Sequence, residues 1–209
     1  MRDFSPTSRP KAASADWSVR RLVTFFLIMS PVIALLALLS WGVLRPNADR
    51  GGLLEYNDSG EVAVEMRPAP PFDGTDLLTA EHIDNAAVSG NVVMVDFFSS
   101  WCIACKVEAR ALAEVYAEYE GQPVEFVGIA VWDVLGDTTR HIDRYAVPYP
   151  NILDARGVTA VSYGVRGVPE KFFLDREGQI VRRMIGPIDH DDLREIIDEL
   201  LAAETAPAA

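Results

Sequence analysis

The chain of 209 residues has only two cysteines and three histidines. Two thiols are too few for the disulfide framework of a small secreted domain, and too few for a zinc module held by four cysteines. Basic residues are also scarce, 19 against 31 acidic ones, for a formal net charge of −12. Five of the basic side chains but only two of the acids lie in the first 44 residues, so the remainder carries −15. That balance excludes nucleic acid and an anionic membrane surface as ligands of the main body. There is no internal repeat and no long low-complexity segment. The length fits one globular domain with appendages.

Charge is missing altogether from Leu22 to Leu44. At about 1.5 Å per residue this run covers roughly 34 Å, enough for a hydrocarbon core near 30 Å thick. Pro31 within it kinks a spanning helix without forbidding one. Arg2, Arg9, Lys11, Arg20 and Arg21 outnumber Asp3 and Asp16 on its N-terminal side. Positive-inside therefore places residues 1–21 in the cytoplasm and the rest beyond the membrane. The run exceeds the 7–15-residue core of a cleaved signal peptide, and no A-x-A site follows it. No cysteine near its end offers a lipid attachment point. The expectation is a single-pass signal anchor at 22–44 in the cytoplasmic membrane.

Residues 45–71 are turn-rich, with Asn57-Asp58-Ser59-Gly60 and Pro68-Ala69-Pro70-Pro71. They read as a tether, with a short strand near Val62–Met66. A compact domain is expected over 72–203, and 204–209 as a frayed tail. Within the domain, Val92–Phe98 and Val124–Val131 are nearly continuous apolar runs, as in central strands covered on both faces. Cys105, Ala109, Leu112, Ala113 and Tyr116 recur at helical spacing, and further helices are expected at Thr138–Tyr145 and Asp154–Tyr163. Lys171–Asp175 and Gln179–Ile185 flank the turn Arg176-Glu177-Gly178 as a hairpin. Asp189 caps a last helix whose Leu193, Ile196, Ile197, Leu200 and Leu201 face inward. The order implies an α/β domain with a mixed sheet.

Both cysteines stand together, in Trp101-Cys102-Ile103-Ala104-Cys105, between the first apolar strand and the helical pattern. A helix N-terminus presents unpaired N–H groups and the positive end of the macrodipole, which favour an anion. Cys102 is then the attacking thiolate and Cys105, one turn on, the resolving thiol. Zinc and copper also use C-x-x-C. Four-coordinate zinc would need two further ligands, and His82, His141 and His190 are not paired at ligand spacing; each reads as a surface or capping residue.

The segment Val95-Asp96-Phe97-Phe98-Ser99-Ser100-Trp101-Cys102-Ile103-Ala104-Cys105-Lys106 resembles the active-site segment of the thioredoxin-like superfamily. Cys105-Lys106-Val107-Glu108, and later Tyr163-Gly164-Val165-Arg166-Gly167-Val168-Pro169-Glu170-Lys171-Phe172-Phe173-Leu174-Asp175, are similar to the membrane-anchored oxidoreductases of cytochrome c maturation, the TlpA, ResA and CcmG (DsbE) type. The likeness runs from about Phe72 to Leu201 and includes the anchor.

The resemblance implies a thioredoxin fold, a mixed central sheet flanked by helices, with a helical insertion before a cis Pro169 that faces the sulfurs. A redox disulfide Cys102–Cys105 with no cofactor and no metal is implied. Val168 then pairs its backbone with a client peptide, and Trp101 shields the sulfurs and offers apolar contact. Glu108 and Glu170 become acids near the redox pair. Without the resemblance Glu108 reads as an exposed helix residue and Pro169 as a loop proline. Asp96 departs from the cytochrome-maturation pattern, where asparagine is common, and matches the buried aspartate of thioredoxin that serves the resolving cysteine. A charge inside a central strand is expensive unless it is functional or paired. Lys171 departs too, standing where the family carries a small hydroxyl residue. The implied partners are exported disulfide proteins, with apocytochrome c the leading candidate, and a membrane thiol electron donor. The alternatives are another envelope client, including copper-site thiols, and a metal-binding or chaperone module without turnover. A peroxidase on this fold is disfavoured, because the P-x-x-x-T-x-x-C setting is absent.

Overall fold

The computed structural model describes residues 16–44 and 60–205, so most of the expected tether and the last four residues of the tail lie outside the described residues. It divides into two units, Met1–Leu53 and Leu54–Ala209. In the first unit, helix α1 runs from Asp16 to Leu44 with Pro31 inside it. Its stretch Arg21–Ser40 has a mean hydropathy of 2.7 and none of it is buried. Phe25, Phe26, Leu27 and Leu35 are all exposed. A helix apolar on every side and long enough to span a bilayer suits hydrocarbon as its solvent.

The second unit is built on a seven-stranded mixed sheet, beside a separate two-stranded ribbon of β3 (Asp73–Thr75) and β4 (His82–Asp84). The centre of the large sheet is β5 (Val92–Phe98), buried at all seven positions, with β6 (Val124–Val131) parallel to it. The crossover between them is α2 (Ile103–Glu118). Beyond β6 come α3 (Leu135–Tyr145), the parallel strand β7 (Asn151–Asp154) and the short α4 (Val158–Tyr163). Then β8 (Glu170–Leu174) and β9 (Gln179–Ile185) form an antiparallel hairpin on the other side of β5. The chain closes with α5 (His190–Thr205), where Asp189 Oδ1 accepts from the Asp192 N–H at 2.9 Å, the cap expected there. This is the thioredoxin fold, with α3, β7 and α4 between the second parallel strand and Pro169.

Period-two alternation sorts the sheet into two cores. Val92, Met94, Phe126 and Phe173 point to one face, packed under Leu112 and Val115 of α2 and Leu193 and Ile197 of α5. Val93, Val95, Phe97, Ile129 and Phe172 point to the other, with Ala160 and Tyr163 of α4 and Phe72.

Three boundaries differ from expectation. The sheet starts before Phe72: β1 (Glu61–Val62) and β2 (Arg67–Pro68) both pair antiparallel with β9, so 61–68 belong to the folded unit and not to a tether. The outer edge of β9 presents unpaired N–H and C=O groups, and this segment covers them. The single strand expected near Val62–Met66 is thereby split into two short pieces. The helix expected from Asp154 starts only at Val158, because Asp154 ends β7 and its carboxylate caps the helix, accepting from the N–H groups of Val158 (2.8 Å) and Ala160 (3.0 Å). Finally, α3 begins at Leu135, three residues before Thr138.

Candidate redox site

Strand β5 ends in Ser99-Ser100, and this corner is pinned from the neighbouring loop. Asp133 accepts from the Ser100 N–H (2.5 Å) and hydroxyl (2.9 Å), Ser99 Oγ donates to the Val131 carbonyl (2.6 Å), and Trp101 Nε1 donates to the Trp132 carbonyl (3.2 Å). Cys102 then takes the cap position of α2 with extended backbone, φ −73° and ψ 121°. Its Sγ accepts from the Cys105 N–H at 3.1 Å, where a serine or aspartate oxygen would otherwise sit. Cys102 and Cys105 are joined in a disulfide. Val168–Pro169 is a cis peptide, and the Val168 carbonyl oxygen lies 3.6 Å from Cys102 Sγ. Both sulfurs are largely buried, but Trp101, Ile103 and Val107 are exposed and form an apolar rim beside them.

Beneath the sulfurs is a group of charges that sequence reading saw only in part. Asp96 and Lys171 are direct register partners on β5 and β8, and alternation turns both toward α2. Lys171 Nζ donates to Glu108 Oε1 at 2.7 Å and lies 3.3 Å from Asp96 Oδ1. Glu108 Oε2 accepts from the Ile188 N–H at 2.9 Å. All three side chains are almost wholly buried, so Glu108 is not the exposed helix residue its spacing alone suggested. Burial holds the Asp96 carboxyl above the ordinary carboxylate range, with Lys171 opposing. Burial, joined by the Asp96 charge and opposed by Lys171, pushes Glu108 up to about 7. Burial disfavours the Lys171 ammonium, yet the two carboxylates outweigh it and hold its pKa above that of a free lysine. Lys171 therefore stays cationic between two buried carboxyls that both hold their protons more tightly than an exposed acid does. Such a group can take up and return the proton of a neighbouring thiol.

Glu170, expected beside the sulfurs, points to the opposite face. It precedes Phe172 by two residues and is paired with Phe97, both in the far core. Its carboxylate is held by the Arg183 guanidinium and by the Arg166 N–H. Two residues with a place in this region were missed. Lys171 registered only as a departure from a family pattern. His141, read as a surface or capping residue, is buried and stacks on Phe98 with ring centroids 5.2 Å apart. Neither position is visible without the register of β8 and the packing of α3. Among the described residues, no three His, Cys, Asp or Glu side chains are grouped to hold a metal.

A thioredoxin fold with a disulfide at the cap of its first crossover helix defines the class, a thioredoxin-like thiol–disulfide oxidoreductase. The AhpC/TSA family profile matches residues 66–183, and the chain belongs to that family. The thiol–disulfide oxidoreductase ResA of Geobacillus thermodenitrificans is 26% identical over 83% of this chain and 95% of its own length. The thiol:disulfide interchange protein DsbE of Allochromatium vinosum is 30% identical over 65% of this chain and 75% of its own. Among solved structures, a DsbF homologue from Corynebacterium diphtheriae superposes with a TM-score of 0.61 at 25% identity, covering 75% of this chain and 99% of that one. The chain is thus an oxidoreductase of the ResA/CcmG/DsbE type.

Proposed function

We propose that the protein is a membrane-tethered reductase that delivers electrons to disulfides of exported proteins, with apocytochrome c as its leading client. The observation that carries this reading is the Asp96–Lys171–Glu108 cluster behind a helix-capping disulfide. Cys102, at the helix N-terminus beside the Val168 carbonyl and the exposed Trp101, attacks the client disulfide. Cys105 then resolves the mixed disulfide. Cys105 is buried, and burial disfavours a thiolate there, so the dithiol gains little from ionisation and gives up its electrons readily. Positive flanking charge before α1 supports a cytoplasmic N-terminus and an extracytoplasmic redox domain, re-reduced by a membrane thiol donor. The cytochrome reading rests on the motifs around Cys105 and Pro169.

The test is direct. Reduced full-length protein in detergent is mixed with a disulfide-bonded peptide bearing the Cys-x-x-Cys-His haem-attachment sequence, and both partners are followed by mass spectrometry. The expected result is a reduced peptide and an oxidised protein in equal amounts. A peptide that stays oxidised, while in the reverse mixing the oxidised protein converts the dithiol peptide to its disulfide, contradicts the reductase reading.

A further inference from the structure

A cavity of about 10 Å³, the size of one water site, lies behind Cys105. Cys105, Asp96, His141 and Asn151 are on its wall with Phe98 and Tyr149. Three buried polar atoms without a hydrogen-bond partner belong to these residues: Asp96 Oδ1, His141 Nδ1 and Asn151 Oδ1. Asp96 Oδ1 is close to Lys171 Nζ, but the pair is not aligned as a hydrogen bond. An unsatisfied buried polar atom is costly, and Asp96 Oδ1 keeps its ion-pair contact, so it is His141 Nδ1 and Asn151 Oδ1 around one small space that mark a built feature. The local sequence makes room for it. Asn151 Nδ2 donates to the Tyr149 carbonyl at 2.7 Å, which fixes the amide. Gly128 is the register partner of Asn151, and a Cβ there would collide with Asn151 Oδ1 and press on Phe98.

His141 also borders the outside. It lines a surface groove of about 290 Å³ with Ser100, Trp101, Lys106, Arg140 and Tyr145. The same imidazole is thus a wall of the buried cavity and of the solvent groove beside the redox site.

We propose that the cavity holds one ordered water, and that Asp96, this water and His141 form the path by which the Cys105 proton reaches the surface groove. The inference rests on the reading of Cys102–Cys105 as the exchanging pair. In the resolving step, the Cys105 S–H bond gives its proton to the Asp96 carboxylate. The thiolate electron pair forms the Cys105–Cys102 bond, the bond from Cys102 to the client sulfur breaks, and the client leaves as a thiolate that is protonated by solvent. Asp96 then passes its proton through the water to His141 Nδ1 while the other ring nitrogen releases one to the groove, which returns the cluster to its starting charge. Re-reduction runs the path inward.

A relay imidazole must be neutral, with one nitrogen accepting and the other donating. Burial and the Lys106 charge hold the His141 pKa below the ordinary histidine value, with Asp133 opposing. The groups facing the relay are Lys106 on α2, Asp133 after β6, and Asp137, Arg140, Arg144 and Tyr145 on α3 at the His141 end. Lys171, Glu108 and Tyr149 face the Asp96 end. His141 is a positioning residue, since it acts on the sulfurs only through Asp96 and the water.

Stopped-flow mixing of the reduced full-length protein with dithiobis(nitrobenzoate) separates the steps. The first release of coloured thiolate reports attack by Cys102, and the second reports resolution by Cys105. His141→Phe, which keeps a ring stacked on Phe98, should leave the first phase unchanged. It should slow the second by about tenfold or more between about pH 6 and 8, with the deficit closing at high pH as hydroxide takes the proton. In His141→Ala, added imidazole should restore the second phase. A second phase of unchanged rate and pH profile in His141→Phe overturns the relay. So does equal slowing of both phases without imidazole rescue, which marks His141 as packing alone. A wild-type protein with no second phase at all overturns the exchange reading itself, and the relay with it.

Discussion

The two faces of the central sheet share the same strands and have opposite characters. On the face under α4, Phe97, Tyr163 and Phe172 pack as a trio with ring centroids 5.1–5.7 Å apart, two pairs meeting edge-on. On the face under α2, apolar and charged positions follow one another along the strands: Val92 and Met94 lead to Asp96, and Phe173 stands beside Lys171. Alternation along a strand is enough to keep the charged group under the sulfurs within one residue of an aromatic core, where the buried Glu170 carboxylate is held by Arg183. The far face supplies rigidity; the near face holds the sulfurs and, beneath them, the buried Asp96–Lys171–Glu108 group.

The contrast can be broken from either side. The largest effect belongs to the near face: Cys105→Ser should abolish turnover and accumulate a mixed disulfide on Cys102, visible on a non-reducing gel. Phe172→Ala on the far face should destabilise the fold by roughly 3–5 kcal/mol while leaving the reduction potential of the folded fraction unchanged, as denaturation and redox titration will show. Lys171→Met removes the one cation from two buried carboxyls and should cost about 3–5 kcal/mol as well, but it should also move the potential and its pH profile. The same loss of stability with different redox outcomes is what separates the faces.

A smaller effect sharpens the near face. Glu108 holds its proton up to about 7 in the folded protein, against 4.5 when unperturbed. Its contribution to stability is therefore full below about pH 4.5 and is lost as pH rises through 7. Glu108→Gln should remove this downward slope, on the order of 3 kcal/mol at most. Thermal midpoints measured across that window will show it.

Much of this arrangement was legible in the residues. The apolar runs fixed β5, β6 and β9 at their observed ends, and the C-x-x-C lay where a cap residue belongs. Asp96 stood out as a charge inside an apolar strand, and Glu108 follows Cys105 by one helical turn. What stayed hidden depends on partners distant in sequence. Lys171 finds Asp96 only through the antiparallel register of β8, 75 residues on, and that register also turns Glu170 away. Four residues, Asn151–Asp154, are too few for a strand signal beside Pro148 and Pro150, so β7 merged with the helix after it. His141 carries no local sign of burial; the stacking of α3 on Phe98 creates it.

The equilibrium reduction potential of Cys102–Cys105 in the full-length protein tests the central claim most directly. A buried resolving sulfur, where a thiolate is disfavoured, predicts a reducing pair, near the roughly −270 mV of thioredoxin. A value near about −120 mV would mean a stabilised dithiol that introduces disulfides, and would contradict a reductase of exported proteins.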